Sequence, residues 1–282
     1  MKITILVDNT ALFDRMFVAE HGFSAYIEAE GQRILFDTGY SGAFLQNAEK
    51  MKIDLLDLDY IVLSHGHFDH TGGLWHLIHR FMEAAIEDTP HRLPRLIAHP
   101  RCFLPRPKPP LADIGAVLTA DEVQRFMPLE LSTKPVSLTP NLFFLGEIER
   151  RCSFEGADPG PRRIVMPDGC MQEDRILDDT SLAFRGKNGL VVITGCAHAG
   201  ICNTVEYAKK VCGENRVQDI IGGFHLRTAG PQLIGTLAYL KDLNPAALHA
   251  CHCTSLAAKV ALAQVASLQE TGVGLRLEYA DR

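Results

Sequence analysis

Within six residues, His65, Gly66, His67, Phe68, Asp69 and His70, the chain places three imidazoles and a carboxylate. Metal binding accounts for that density better than core packing does, because such groups are costly to bury unless paired or ligating. The flanks fix where the cluster sits. Residues 60–63 are a short apolar, β-rich run that predicts a strand ending at Ser64. Thr71-Gly72-Gly73, followed by Leu74, Leu77, Ile78, Phe81 and Met82 at helical spacing, predicts a turn that opens an amphipathic helix. The cluster therefore belongs to a strand-to-helix loop. His65 and His67, two apart in extended backbone, point to one side and can share an ion. Asp69 and His70, just past the turn, face a second. Two cations about 3.5 to 4 Å apart would hold an attacking hydroxide and a developing oxyanion together, and a water bound there has a pKa of about 7.

The rest of the chain alternates in a way that suits two β-rich halves. Strands are predicted at 3–7, 24–29, 33–36 and 96–98, with a helix near 41–51. Runs at 181–184 and 190–194 read as a hairpin joined through Gly186-Lys187-Asn188-Gly189. Amphipathic helices at 233–243 and 255–269 flank a strand at 246–251. Residues 90–140, with PRPKPP at 105–110, are the least regular part and read as a lid or insertion within one domain, 1–282. Further ligands should lie on loops that follow strands. His198 sits in the turn Gly195 to Gly200 after 190–194, and His252 follows the strand at 246–251. His225 follows strand-like 219–221 and is placed to protonate a leaving group or bind an anion.

Composition narrows the function. Apolar residues make up 46% of 282, enough for a sizeable core in one enzyme domain. The apolar run at 3–7 is too short for a signal segment, and no stretch approaches a membrane span, so a cytoplasmic protein is expected. The eight cysteines form no CxxC pair, which excludes a zinc ribbon or thioredoxin-type motif and points to reduced thiols, most of them packed as small hydrophobes. Cys196, Cys251 and Cys253 lie beside His198 and His252 and are alternative ligands. A net charge of −6 argues against nucleic acid as partner. A small, anionic substrate is expected instead. Arg101, Arg106, Lys108, Arg150 and Arg151 are candidates to hold it, with ordinary solvated charge as the simpler reading.

The motif after a strand, with the set EHGFS at 20–24, ILFDTG at 34–39, SHGHFDHTGGL at 64–74, TGCAHAGI at 194–201, IGGFHL at 221–226 and CHCTS at 251–255, resembles the metallo-β-lactamase superfamily across nearly the whole chain. Within it, the set is similar to a subgroup of metal-dependent hydrolases. One archaeal branch of that subgroup acts as a dihydropterin ribofuranosyl-aminobenzene phosphate synthase. The resemblance implies an α/β (α+β) fold, the four-layer αββα sandwich. It implies two divalent ions, zinc first with iron or manganese as alternatives, held by His65, His67, Asp69, His70, His198 and His252. Asp69, His198 and His225 would then be the catalytic groups. Asp37 is expected to organise the metal loop, Asp8, Asn9, Glu20 and His21 to border the cleft, and His99 to form a pocket wall. His76, His79, His91 and His249 have no metal-like spacing.

The chain departs from the family at two points. Asp178-Asp179-Thr180 stands where many members carry a histidine, and Gly195-Cys196 where many carry the Gly-Asp whose aspartate bridges the ions. Cys196, His198 or Asp179 could take that place, and a single ion is also compatible. The chain lacks the helical extension of the thioesterases, the flavodoxin-like domain of the flavodiiron proteins and the large basic module of the nucleases. The expected function is hydrolysis of a small, anionic ester or phosphoester. The synthase-like reaction is the first alternative and a non-catalytic metal or ligand sensor the second.

Overall fold

The computed structural model describes residues 1–156 and 162–282. The first half runs β1 (Lys2–Val7), β2 (Ser24–Ala29), β3 (Gln32–Phe36), α1 (Ala43–Met51), β4 (Tyr60–Val62), α2 (Phe68–Thr71), α3 (Leu74–Ile86), β5 (Arg95–Ala98), α4 (Ala120–Gln124) and β6 (Leu129–Leu131). The second runs β7 (Val136–Ser137), β8 (Leu142–Phe144), β9 (Arg163–Val165), β10 (Met171–Glu173), β11 (Ser181–Gly186), β12 (Gly189–Thr194), α5 (Ile201–Cys212), β13 (Val217–Gly223), α6 (Pro231–Leu243), β14 (Ala247–Cys251), α7 (Leu256–Leu262) and β15 (Arg276–Glu278). Strands β15-β1-β2-β3-β4-β5-β6 form one sheet, β14-β13-β12-β11-β8-β7 a second, and β9-β10 a separate ribbon.

Side-chain alternation explains why the sheets stack. Ile34 and Phe36 of β3 point one way and Leu35 the other. Val191 and Ile193 of β12 likewise oppose Leu190 and Val192. One set from each sheet meets between them, where Phe36 and Val62 pack with Phe144, Phe184 and Ile193. The outer set of the first sheet packs with Phe44 of α1 and Leu74, Leu77, Ile78 and Phe81 of α3. That of the second packs with Ile201, Val205 and Ala208 of α5 and Leu240 of α6. The result is the expected αββα sandwich. Among the described residues no helix is long and apolar enough to cross a membrane.

Three details differ from the sequence reading. Met82 is 45% exposed and Ala84 completes the buried stripe of α3, because Met82 lies about 80° round the helix from Leu74, at the stripe's edge. The helix expected at 255–269 ends at Leu262. There the chain bends back so that Gln269 N–H reaches Leu248 O and Leu248 N–H reaches Ser267 O, satisfying a strand-edge backbone at the expense of a longer helix. The 90–140 segment supplies β5 and β6 to one sheet and β7 to the other, while 99–119 carries neither helix nor ladder strand.

Candidate metal centre

The cluster lies where loops leave β3, β4, β12, β13 and β14. Asp37, Ala197, His225 and His252 each stand within three residues of a strand end in left-handed backbone, with φ of 58°, 52°, 49° and 46°. Non-glycine residues rarely adopt that region, at a cost of about 1–3 kcal/mol each, and such strain gathers at functional sites. It turns each strand abruptly and aims the following side chains at one point.

A buried carboxylate organises the loop after β4. Asp37 Oδ1 accepts the Ser64 amide at 2.7 Å, and Oδ2 accepts the Ser64 hydroxyl at 2.6 Å. With its proton so committed, the Ser64 hydroxyl accepts from His65 Nδ1 at 2.9 Å, which leaves the lone pair of His65 on Nε2. His70 Nδ1 lies 2.6 Å from Asp37 Oδ2, and His252 Nδ1 2.9 Å from Asn9 Oδ1, so both also present Nε2. Asp8 adds the His252 amide at 2.9 Å. Beyond the loop, Gly66 N–H donates to Asp178 Oδ2 at 2.8 Å, and Asp178 is in turn gripped by Arg106 at 2.6 Å.

These constraints create two converging groups. In the first, His65 Nε2 stands 3.0 Å from His67 Nδ1, and the His198 ring lies 4.8 and 4.9 Å from the rings of His65 and His67. In the second, His70 Nε2 and His252 Nε2 are 3.2 Å apart, with Asp69 Oδ2 at 3.8 Å from the former and 3.4 Å from the latter. Two nitrogens on one tetrahedral ion, each about 2.0–2.1 Å from it, would be roughly 3.3 Å apart. Cys196 Sγ is 3.3 Å from His70 Nε2 and groups with His65 and His198 as well as with His70 and His252, all donor atoms lying within 4.8 Å of one another.

The electrostatics favour a cation. Burial, and then the Arg106 charge, push His67 down to about 3. Burial and neighbouring imidazoles hold His65 and His198 well below the ordinary value. For His70 burial works downward, but the Asp37 and Asp69 carboxylates prevail and raise it to about 9. Burial opposes ionisation of Asp69 too, yet His70, His21 and His252 keep it far below the usual carboxylate range. Burial lifts Asp179 to about 6. His67 Nε2, both nitrogens of His198 and His225 Nδ1 are buried without a hydrogen-bond partner, each such orphan costing about 1–3 kcal/mol. His65, His67 and His198 are thus neutral lone-pair donors, and His70 becomes one when an incoming cation displaces its proton, so the set fits one or two divalent ions.

Comparison with known proteins agrees. A sequence model of the metallo-beta-lactamase superfamily matches residues 18–161. The 7,8-dihydropterin-6-methyl-4-(beta-D-ribofuranosyl)-aminobenzene-5'-phosphate synthase of Methanocaldococcus jannaschii is 34% identical over 92% of this chain and 89% of its own length. The chain belongs to the metallo-beta-lactamase superfamily. An uncharacterized protein of the same archaeon is 31% identical over 93% of this chain and 94% of its own. A solved metal-dependent hydrolase of the beta-lactamase superfamily superposes with a TM-score of 0.83 at 28% identity, covering both chains completely. The superfamily's αββα sandwich is the architecture seen here.

The structure brings His65, His67, Asp69, His70, His198 and His252 together, with His225 beside them, its ring 4.2 Å from that of His198. His225 N–H donates to Cys253 Sγ at 3.2 Å, and Cys196, His225 and Cys253 form a further possible ligand group. Asp179 and Cys251 join none of the ligand groups found among the described residues, and neither does His67, which meets the cluster through His65. Asp179 instead accepts the Ala199 amide at 2.9 Å and so shapes the turn before α5. His21, expected only to border the cleft, reaches Asp69 Oδ2 at 3.1 Å. Glu20 caps the approach to α1 through the Tyr40 and Ser41 amides, both at 3.0 Å. His99 is held between Glu147 and the Arg101 amide. Arg106 is neither solvated nor available to a substrate: it is fully buried between Asp174 and Asp178. Arg151 pairs with Glu149, and Arg150 caps the Arg175 and Ile176 carbonyls. Arg162, which no motif marks, lies near enough to His198 for its charge to lower that imidazole's pKa.

Proposed function

We propose that the chain is a cytoplasmic metal-dependent hydrolase of a small, anionic ester or phosphoester, with His65, His67, Asp69, His70, His198 and His252 as ligands to two divalent ions. Zinc is the first choice, with iron and manganese also suited to imidazole and carboxylate. The observation that carries this reading is that Ser64, Asp37 and Asn9 occupy the Nδ1 atoms of His65, His70 and His252, which turns their Nε2 atoms into the cluster, those of His70 and His252 standing 3.2 Å apart. Bound ions would supply hydroxide at neutral pH and neutralise charge developing on the scissile group.

The chain's own groups do the rest. Asp69, ionised at any working pH, accepts a hydrogen bond from the nucleophile and orients it. His225 hands a proton to the leaving group, with His198 the second candidate. Within the 90–140 segment, the part outside the sheets, 99–119, acts as a lid or insertion on a single domain, supported by the Phe68 N–H to Ile114 O bond of 3.0 Å that ties it to the metal loop.

The synthase reaction is the second reading, favoured by 34% identity to the archaeal enzyme over most of both chains. Elemental analysis of protein purified without added metal or chelator, beside His67→Ala, tests the centre. About two ions per wild-type chain, and clearly fewer in the variant, are expected. The same preparations, assayed on phosphoesters and lactones and on a dihydropterin with ribofuranosyl-aminobenzene phosphate, should turn over the first set. Turnover of the second alone would replace the hydrolase reading with the synthase. One ion or none would move weight towards the synthase or a non-catalytic sensor.

A further inference from the structure

The two ligand groups need something between them, and none of the neighbouring carboxylates serves. Asp37 is consumed by Ser64 and His70. Asp178 is consumed by Gly66 and Arg106, and Asp179 turns to the Ala199 amide. Asp69 groups with His21 and His252, on the second side only. Among the described residues, Cys196 alone groups with His65 and His198 on one side and with His70 and His252 on the other. It is 3% exposed, and its backbone has little freedom. At Gly195 an added Cβ would lie 2.1 Å from Ser64 Oγ and 2.8 Å from Asp37 Oδ2, so the turn after β12 is pressed directly against the metal loop.

We infer that Cys196 is the ligand shared by the two metal positions, a thiolate standing between them where related sites use a carboxylate. This rests on reading the cluster as a metal centre and is independent of which reaction the centre runs. Binding releases the thiol proton to solvent, and separate lone pairs of one sulfur then serve both ions. Cys253 is the rival sulfur, but it groups only with Cys196 and His225 and already accepts the His225 amide at 3.2 Å. A central sulfur also favours zinc or iron over manganese.

Cobalt(II) added to the full chain tests the inference, read by metal counting and by the near-ultraviolet sulfur-to-cobalt charge-transfer band, with far-UV circular dichroism to confirm folding. Wild type should take up about two cobalt ions and show the band. Cys196→Ala should lose the band and bind about half the cobalt, whereas Cys196→Asp should lose the band and keep both ions. Cys253→Ser should retain the band. Survival of the band in Cys196→Ala, or its loss in Cys253→Ser alone, would overturn the assignment. Two ions without a band in wild type would sink the thiolate but leave the metal centre standing. No cobalt uptake at all would sink both.

Discussion

A histidine that burial keeps neutral carries a pH signature of its own. His67 has a pKa of about 3 in the fold against 6.5 ordinarily, so below about pH 6.5 the unfolded chain binds a proton that the folded chain refuses. The stability it contributes is present above pH 6.5 and drains away as the pH falls toward 3. His70, raised to about 9, behaves oppositely: its contribution is complete below pH 6.5 and is lost between there and about 9. For metal-free protein, thermal melts in chelator should therefore show a shallower acid decline in His67→Asn than in wild type between about pH 6.5 and 4. Equal slopes would rule this linkage out. The histidines themselves were legible because four candidate ligands sit in six consecutive residues. The groups that aim them were less so. Asp178 meets Gly66 across 112 positions of sequence, and Arg106 meets Asp178 across 72, distances that leave no local pattern to read.

At the scale of elements, the loop between β4 and α3 is held from behind by the irregular segment after β5. An added Cβ at Gly66 would come within 1.9 Å of Cys102 O and 2.2 Å of an Arg106 nitrogen, so loop and guanidinium are in direct contact. Removing Arg106 would strand Asp174 and Asp178, both buried, without their cation. Arg106→Ala should cost about 3–5 kcal/mol in urea unfolding. A loss under about 1 kcal/mol would mean that water or a rearrangement replaces the ion pair. Strands β1, β2, β3, β11 and β12 were legible as short apolar, β-rich runs bounded by turn residues, as was the tight hairpin between the last two. Strands β6 to β10 have three residues or fewer, too short to show any period, and they form because a neighbour offers an edge. The overlong expectation for α7 has the same origin, since Ser267 and Gln269 bond to the Leu248 backbone instead of continuing the helix.

Across the whole molecule the candidate centre draws on both halves, with side chains that follow β4 in the first sheet and β12 and β14 in the second. Metal that binds only the folded chain must stabilise it, by about 2.7 kcal/mol when free metal is a hundredfold above the dissociation constant. Thermal melts in zinc buffered by graded chelator should rise steadily with free zinc, and a melting temperature indifferent to zinc would contradict a site shared between the sheets. The four layers themselves were anticipated from motif resemblance rather than from any property of single segments, because which helix covers which sheet is decided by packing between distant parts.

The amide of His252 is held by Asp8, 244 positions away. A ribosome delivers the first of these residues long before the second, and domains form as the chain emerges. The β4 loop, with its three histidines, is therefore made well before the residues that complete the pocket. If the proposed ions bind, loading is a late event in the life of the molecule, and which ion arrives depends on what the surroundings offer once synthesis has passed His252 as well as on the donors that wait there.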